Sequence, residues 1–388
     1  MKNKFLFVLL TFGILSFCGC QQAPEAVQEN MDKYNENKQI EEPDADYCSI
    51  DDLKNVDIKK INEQYENIIL PEHADFSNVE DVCLFQVQVE SDFFDKYEEE
   101  YRKLFGIKKE DYEIGQTPGG KSYSFDEGVK HLGIDECGFM AYIDDTFCIT
   151  DSEVAEGYHI GKDDTSNTIV EFKNGSKKLD DICNEAEEWY KNNFHNDSLD
   201  YRVTDAFIIN AKCENENITL ASLCGAFSYK GISINNYFFN YYDDNSSQDD
   251  AYYGSMFNSV VTRYDDVDRM GWFSINNQTL NVIEDTPQDK IISFDNAVKK
   301  VSAKLSGFGN TEFAEVMPMY EITLHCVETE SSYGPGQIFE ARPVYAFLCK
   351  NEDSGVFQNK QTISSFDLYD KFCYVDMITG EFRTNFQL

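Results

Sequence analysis

The chain has 388 residues, of which 41% are hydrophobic and 14% aromatic, and its formal net charge at pH 7 is −38. This apolar content can fill a core, which excludes a wholly disordered chain, and the length indicates two or three domains. The acidic surface repels phosphate groups, so we expect no nucleic-acid partner.

The N-terminus predicts an export signal. Lys2 and Lys4 precede the apolar run FLFVLLTFGILSF at residues 5–17, and polar sequence begins at Gln21. A charged start, a short apolar segment and a small residue before the cut are typical of a secretory signal, whereas a membrane span needs about 20 apolar residues. We therefore predict a signal peptide over residues 1–19. An ordinary secretory signal and an uncleaved anchor are the alternatives.

Two cysteines end this signal, and the second is the informative one. The run closes on Gly19 and Cys20, which resembles the lipobox of bacterial lipoproteins. The resemblance implies transfer of a diacylglyceryl group to the Cys20 sulfur and cleavage before Cys20, while Cys18 would leave with the signal. Phe17 departs from the pattern, because leucine is usual three residues before the lipidated cysteine. A diacyl anchor would hold the protein on the extracytoplasmic face of the cell membrane.

Residues 20–46 predict an acidic, disordered tether. The segment QQAPEAVQENMDKYNENKQIEEPDAD has few apolar residues and no helical stripe. Such a composition cannot bury enough apolar surface to fold. We expect the tether to lift the folded part of the chain clear of the membrane.

Residues 47–175 predict an N-terminal α+β region. Alternating apolar residues indicate strands, and aromatic residues at helical spacing between Ser91 and Gly106 indicate a capped helix. The predicted elements are a strand at 82–89, the helix at 91–106, a hairpin at 137–150 that turns at Asp144-Asp145, and a strand with its turn at 168–175.

The order helix, then antiparallel strands, occurs twice in the remaining chain. It predicts two modules, at 176–285 and 286–388, each with a helix on a sheet. The fold class expected from sequence is therefore α+β, with tandem helix-on-antiparallel-sheet units after the N-terminal region. The predicted helices are 177–194 and 293–307, and the predicted strands are 201–213, 218–234, 237–242, 320–328, 342–350 and 371–383.

The last strands resemble the ending of PepSY-like modules. Those modules pair a strand carrying Pro-Val-aromatic with a final Val-Asp-Ala-x-Thr-Gly-Glu hairpin. In the hairpin we expect Asp376 to cap a tight turn and Gly380 to supply a positive φ. The resemblance covers residues 286–388 and implies a PepSY/cystatin-like unit. The matching residues are Pro343, Val344, Tyr345, Val375, Asp376, Thr379, Gly380 and Glu381, with Met377 in place of alanine.

The resemblance implies binding rather than a reaction. PepSY-like modules serve as inhibitors or as extracytoplasmic partners of proteases and sensor kinases, and they offer no catalytic residue to transfer. Taken whole, the chain resembles lipoproteins of low-GC Gram-positive, clostridial type. We therefore predict a non-catalytic binding role toward an envelope protein partner. A solute- or glycan-binding lipoprotein and an envelope hydrolase are the two alternatives.

The sequence predicts no catalytic residue, metal site or cofactor. It contains no HExxH, no GxSxG and no complete phosphate-binding loop, and TPGGKS at 117–122 predicts a turn. Cys137 and Cys148 are the candidate nucleophiles that keep the hydrolase alternative open. The histidines are separated in sequence; they are His73, His131, His159, His195 and His325.

Acidic loops between residues 243 and 268 leave calcium binding open. Calcium takes six to eight oxygen ligands, but the EF-hand spacing is absent and solvated loops are the alternative. Flanking tyrosines predict either sugar or peptide contacts or core packing. The acids are Asp243, Asp244, Asp249, Asp250, Asp265, Asp266 and Asp268, and the tyrosines are Tyr241, Tyr242, Tyr252, Tyr253 and Tyr264.

The cysteines after Cys20 permit two interpretations. An even number in an exported chain indicates disulfides, whereas cysteines at alternating apolar positions indicate buried thiols. The pairing stays open. These cysteines are Cys48, Cys83, Cys137, Cys148, Cys183, Cys213, Cys224, Cys326, Cys349 and Cys373.

We expect Cys20→Ala to release the protein from the membrane, because the diacylglyceryl thioether needs the Cys20 sulfur. Cell fractionation and incorporation of labelled palmitate measure the effect. Cys18→Ala is the matched control and should keep both the label and the membrane attachment. Retention of label by the Cys20 variant would contradict the assignment.

Overall fold

A computed structural model describes residues 46–386 with internal gaps. The signal peptide, Cys20 and the tether up to residue 45 lie outside the described residues. For residues 117, 240–241, 251–255, 323–327 and 330–331 only the backbone is described. The internal gaps are 73, 75, 77–78, 118–119, 137, 195–197, 214–215, 235–239, 242–250, 256–259, 276–279, 328–329, 332–335, 352–359, 361 and 364–367.

Five helices occur in this part of the chain. None of the helices in the described ranges is both long enough and apolar enough to cross a membrane. The three helices predicted at 91–106, 177–194 and 293–307 are confirmed, as α3, α4 and α5 of the following list. The helices are α1 (Ile50–Leu53), α2 (Ile58–Gln64), α3 (Phe93–Leu104), α4 (Leu179–Asn193) and α5 (Phe294–Lys304).

Of the helix-end signals predicted for α3 and α5, the cap of α5 and the stop of α3 are confirmed and the cap of α3 is wrong. Ser293 caps α5 by accepting a hydrogen bond from the Asn296 N–H, as predicted. Gly106 has a φ of 67° just after α3, which suits its predicted role as a stop. Ser91 is not the cap of α3, because Asp92 occupies that position with a φ of 64° and no capping bond.

Twenty-five strands make up most of the described chain. The first ten are β1 (Tyr47–Cys48), β2 (Ile68–Ile69), β3 (Cys83–Val89), β4 (Glu113–Thr117), β5 (Gly120–Glu127), β6 (Lys130–Asp135), β7 (Met140–Asp144), β8 (Ile149–His159), β9 (Ile169–Phe172) and β10 (Gly175–Lys178). The next eight are β11 (Asp200–Cys213), β12 (Glu216–Tyr229), β13 (Ile232–Ile234), β14 (Asn240–Tyr241), β15 (Ala251–Ser255), β16 (Val260–Asp266), β17 (Arg269–Ile275) and β18 (Leu280–Pro287). The last seven are β19 (Ile291–Ile292), β20 (Thr311–Glu312), β21 (Glu315–Val327), β22 (Glu330–Ser331), β23 (Ile338–Lys350), β24 (Tyr369–Asp376) and β25 (Phe382–Thr384).

The predicted α+β fold of tandem helix-on-antiparallel-sheet units is wrong. The structure is 52% strand and 18% helix, and nineteen of the strands join one large mixed sheet. Strands from all three predicted regions pair within this sheet. The prediction failed because an alternating pattern shows where a strand lies and which face it buries, but not which strand pairs with it. The residue boundaries of the three regions stay predictions.

The sheet has two branches that meet at β12. The first branch is antiparallel and runs in the order β4-β5-β6-β7-β17-β16-β12-β11-β8. The second contains β21, β23, β24 and β25, with β3 and β18 on the far side of β23. The short strand β13 follows β12 through a two-residue turn and lies parallel to β21, which joins the branches.

The predicted hairpin at 137–150 is also wrong. β7 pairs with β6 and β17, while β8 pairs with β11, so the two strands on either side of Asp144-Asp145 are not neighbours. The strand and turn at 168–175 are confirmed by the β9–β10 hairpin. The predicted strand at 237–242 lies mainly outside the described residues.

Helices cover the sheet where aromatic side chains face inward. Phe94 of α3 stacks on Tyr123 of β5 with 3.6 Å between ring centroids, and Phe294 of α5 lies parallel to Phe347 of β23 at 5.9 Å. The apolar face of α4 packs on β11 and β12, with Ile182 completely enclosed. On the opposite face of β11 and β12, Ile363 is fully buried against Phe207, Ile209 and Leu220.

The turn expected from the PepSY-like ending has the predicted geometry. The Asp376 carboxylate accepts hydrogen bonds of 2.8 Å from the N–H groups of Ile378 and Thr379. Gly380 has a φ of 72°, and its N–H donates to the Asp376 carbonyl at 2.8 Å. Burial raises the pKa of Asp376, but the Arg342 guanidinium and these N–H groups outweigh it and hold the pKa below its usual range.

Candidate functional site

Of the acidic residues proposed for calcium, the three that the structure describes do not converge on one site. Asp243, Asp244, Asp249 and Asp250 lie outside the described residues. Asp265 is buried, Asp266 accepts hydrogen bonds from the Asn174 side chain and the Val267 N–H, and the Asp268 side chain is 93% exposed. In the described ranges, no group of three or more His, Cys, Asp or Glu side chains is arranged to hold a metal ion.

Asp265 instead belongs to a buried ion pair. Its two oxygens accept hydrogen bonds from Nε of Arg263 at 2.6 Å and from a terminal nitrogen at 3.2 Å, and both residues are 1% exposed. Burial raises the pKa of Asp265, and the Arg263 charge opposes this rise without cancelling it. Gly271 makes room for the carboxylate, because a Cβ there would lie 1.8 Å from an Asp265 oxygen.

Among the tyrosines near these loops, the structure describes the side chain of Tyr264. Tyr264 is 8% exposed and packs with α4, which confirms core packing at this position. The side chains of Tyr241, Tyr242, Tyr252 and Tyr253 lie outside the described residues.

His159 makes a hydrogen-bonded pair with an acid. Its Nδ1 lies 2.7 Å from Oδ1 of Asp205, and the other Asp205 oxygen accepts a bond from the Thr204 hydroxyl. Burial lowers the pKa of His159, but the hydrogen bond to Asp205 and its charge outweigh burial and raise the pKa above its ordinary value. Lys162 opposes protonation of His159 and Glu315 favours it.

In the described part of the chain, no other histidine shares a site with His159. Nδ1 of His131 lies 2.6 Å from Asp126, on a different hairpin from His159. His73 and His195 lie outside the described residues, as does the side chain of His325. The two histidines whose side chains are described therefore each contact a different aspartate.

The cysteines include both exposed and enclosed thiols. Cys148 is exposed just before β8, Cys137 lies outside the described residues, and only the backbone of Cys326 is described. Cys83, Cys183 and Cys373 are buried free thiols, as the packing interpretation expects. β4 and β5 pair up to Thr117 and Gly120. Pro118 and Gly119 lie outside the described residues, so the turn predicted from TPGGKS stays a prediction.

A charged cluster that sequence reasoning missed lies where the two sheet branches meet. The Lys230 ammonium lies 2.6 Å from Asp285, 3.5 Å from Asp81 and 3.2 Å from the Cys83 sulfur. The Tyr229 hydroxyl donates to the same Asp285 oxygen at 2.8 Å. We call these five residues the Lys230 cluster; it ties β3 and β18 to the β12–β13 turn.

The environment of the cluster favours a fixed ion pair over reactivity. The hydrogen bond to Asp285 raises the pKa of Lys230, and Lys230 in turn lowers that of Asp285. Burial raises the pKa of Cys83, so its thiol is not activated as a nucleophile. Lys230 and Gly231 have φ values of 49° and 79°, the conformation of a two-residue hairpin turn. Gly231, directly after a strand-like run, is the one sequence signal for this turn.

Three strands of five or more residues carry an open edge in the described sheet. β4 pairs with β5, β8 pairs with β11 and β18 pairs with β3, and no second ladder to any of the three joins the described strands. Five exposed acids, here called the acidic edge, lie along β8 and in the turn that follows it: three are on the strand and two are in the turn. These acids are Asp151, Glu153, Glu156, Asp163 and Asp164.

Comparisons of the chain with known protein families, curated proteins and solved structures gave no match.

Asp265→Ala should destabilise the fold by about 3–5 kcal/mol, because it leaves the Arg263 guanidinium buried without its partner. Chemical denaturation measures the free energy of unfolding. Asp268→Asn is the matched control in the same hairpin and should change it by less than about 0.5 kcal/mol. Equal effects of the two variants would contradict the buried ion pair.

The His159–Asp205 pair should make stability depend on pH. Because the folded-state pKa of His159 is raised, its stabilising contribution is complete below about pH 6.5 and is lost as the pH rises through the raised value. The melting temperature of the native chain should therefore exceed that of His159→Gln most at acidic pH. The double variant His159→Gln/Asp205→Asn is the control. A difference that grows with pH would refute this coupling.

Proposed function

We propose that this chain is a membrane-anchored extracytoplasmic lipoprotein that binds an envelope protein partner without catalysing a reaction. Attachment rests on the sequence around Cys20, where a lipobox-like ending follows an apolar signal. The binding role rests on one structural observation, the acidic edge along β8. The membrane is reached through the Cys20 lipid because the acidic chain itself is repelled by anionic headgroups.

The acidic edge has the chemistry to bind a basic segment of a partner protein. Asp151 pairs with Lys212 at 3.0 Å, and the edge as a whole carries more carboxylates than cations. Two register shifts interrupt the β8–β11 ladder. Carboxylates and bulges discourage neutral strands from adding to an edge, so a partner with lysine or arginine side chains is preferred.

The C-terminal residues 286–388 support the same role. We carry forward only the sequence resemblance of this segment to PepSY-like modules, without the separate PepSY/cystatin-like helix-on-sheet unit that the structure contradicts. Its support is the hairpin turn held by Asp376 and Gly380. Such modules act as partners of proteases and sensor kinases, and both are found in the cell envelope. The partner we propose belongs to one of these two classes.

The alternative of a solute- or glycan-binding lipoprotein is favoured by one shallow cleft. It lies between the β9–β10 turn and the β16–β17 turn, where amide, hydroxyl, carboxylate and guanidinium groups line it. These groups can hydrogen-bond to a sugar. A ligand in this cleft would not occupy the acidic edge, so the two functions are separable. The polar residues of the cleft are Asn174, Ser176, Asp266, Asp268 and Arg269.

A photo-cross-linking side chain at Glu153 tests the proposal in the full chain in its native membrane. We expect one envelope protein to be captured from this position, and the yield should fall with added salt because exposed charges are screened. The same side chain at Glu188, an exposed acid on α4, is the matched position and should not capture that protein.

Charge reversal provides the second arm of the experiment. Glu153→Lys/Glu156→Lys should abolish the capture, whereas Glu188→Lys should leave it unchanged. Melting temperatures of the variants verify that both remain folded. Equal capture at Glu153 and Glu188, or capture that survives reversal of the acidic edge, would overturn the proposed binding site.

A further inference from the structure

The β4 edge differs from the other two open edges. Its ladder with β5 runs through five successive residue pairs without a register shift, whereas β8 and β18 are both interrupted by shifts. Each residue from 111 to 116 is exposed. Regular, uninterrupted edges are the ones to which another strand can add.

The β4 edge is also nearly neutral and partly apolar. Glu113 is the one charged residue among Glu113, Ile114, Gly115, Gln116 and Thr117. Ile114 is 63% exposed and faces Tyr123 across the ladder, next to the aromatic stack that Tyr123 forms with Phe94. An added strand would cover the exposed Ile114 side chain.

We propose that β4 pairs in antiparallel fashion with β4 of a second copy of this chain, with the two-fold axis at Gly115. Gly115 is the central residue of the strand, so this register uses all five residues. It places Glu113 opposite Thr117 and Ile114 opposite Gln116 of the other copy. The two Ile114 residues then become diagonal neighbours, within reach of each other across the new ladder.

Charge restricts where two copies of the chain can meet. Two chains of net charge −38 repel each other over most of their surfaces. In the proposed register no carboxylate of β4 faces another, whereas a register centred on Glu113 would oppose two of them. A basic partner would find a single acid here, against five on the acidic edge. A two-fold contact needs a self-complementary surface, which the neutral β4 edge supplies.

Co-capture of two differently tagged full-length copies from the same membrane tests the contact. We expect the native chains to be recovered together. Ile114→Glu/Gln116→Glu opposes acid to acid at two positions of the proposed ladder and should reduce recovery of the second copy about tenfold. Both positions are exposed, and melting temperatures verify that the variant is folded.

A charge-complementary variant makes the test specific to this register. In Ile114→Lys/Gln116→Glu the introduced lysine faces the introduced glutamate of the other copy, so co-capture should return. Native chains that are never recovered together, or an acid-to-acid variant that associates as well as the native chain, would overturn the proposal. A photo-cross-link from position 114 to a different protein would also overturn it. The outcome is independent of the acidic edge, which is probed by its own variants.

Discussion

The two-residue turn at Lys230-Gly231 is the constraint that joins the structure. Both residues have positive φ values, so the chain reverses within two residues and β13 lies beside β21. Among the described strands, this parallel contact is the ladder that connects the two branches of the sheet. Lys230 strengthens the junction because its ammonium group neutralises Asp285 and contacts Cys83 at the end of β3. The strain of a left-handed lysine is thus offset by an ion pair and by the shared core of the branches.

The same structure accommodates part of its excess of acid by pairing buried carboxylates with arginines. Arg263 pairs with buried Asp265, Arg342 with buried Asp376, and Arg383 with buried Glu321. These cations neutralise carboxylates that the sheet encloses, which leaves most other acids on the surface. The strand edges then differ in character. β8 is acidic and interrupted, which suits a basic partner, while β4 is regular and neutral, which suits a second copy of the chain.

The sequence by itself determined the features that depend on neighbouring residues. The helices at α3, α4 and α5 follow the spacing of apolar side chains, and the Ser293 cap follows from one residue type at one position. The turn between Asp376 and Gly380 was predictable for the same reason, because its hydrogen bonds join residues no more than four positions apart. The cap of α3 was missed because Ser91 and Asp92 are both acceptable capping residues, and their backbone angles decide between them.

The tertiary structure alone decided which strands pair and which charges meet. Every strand offers the same backbone hydrogen bonds, so the pattern of β7 and β8 could not show that they part at Asp144 to join β17 and β11. The Lys230 cluster unites residues up to about two hundred positions apart. Arg263 lies only two residues from Asp265, but the burial of both side chains depends on the surrounding sheet. Local conformation thus depends on short-range sterics and helix capping, which a short stretch of sequence specifies. Strand partners, buried charges and open edges depend on long-range packing, which the pattern of a single segment does not specify.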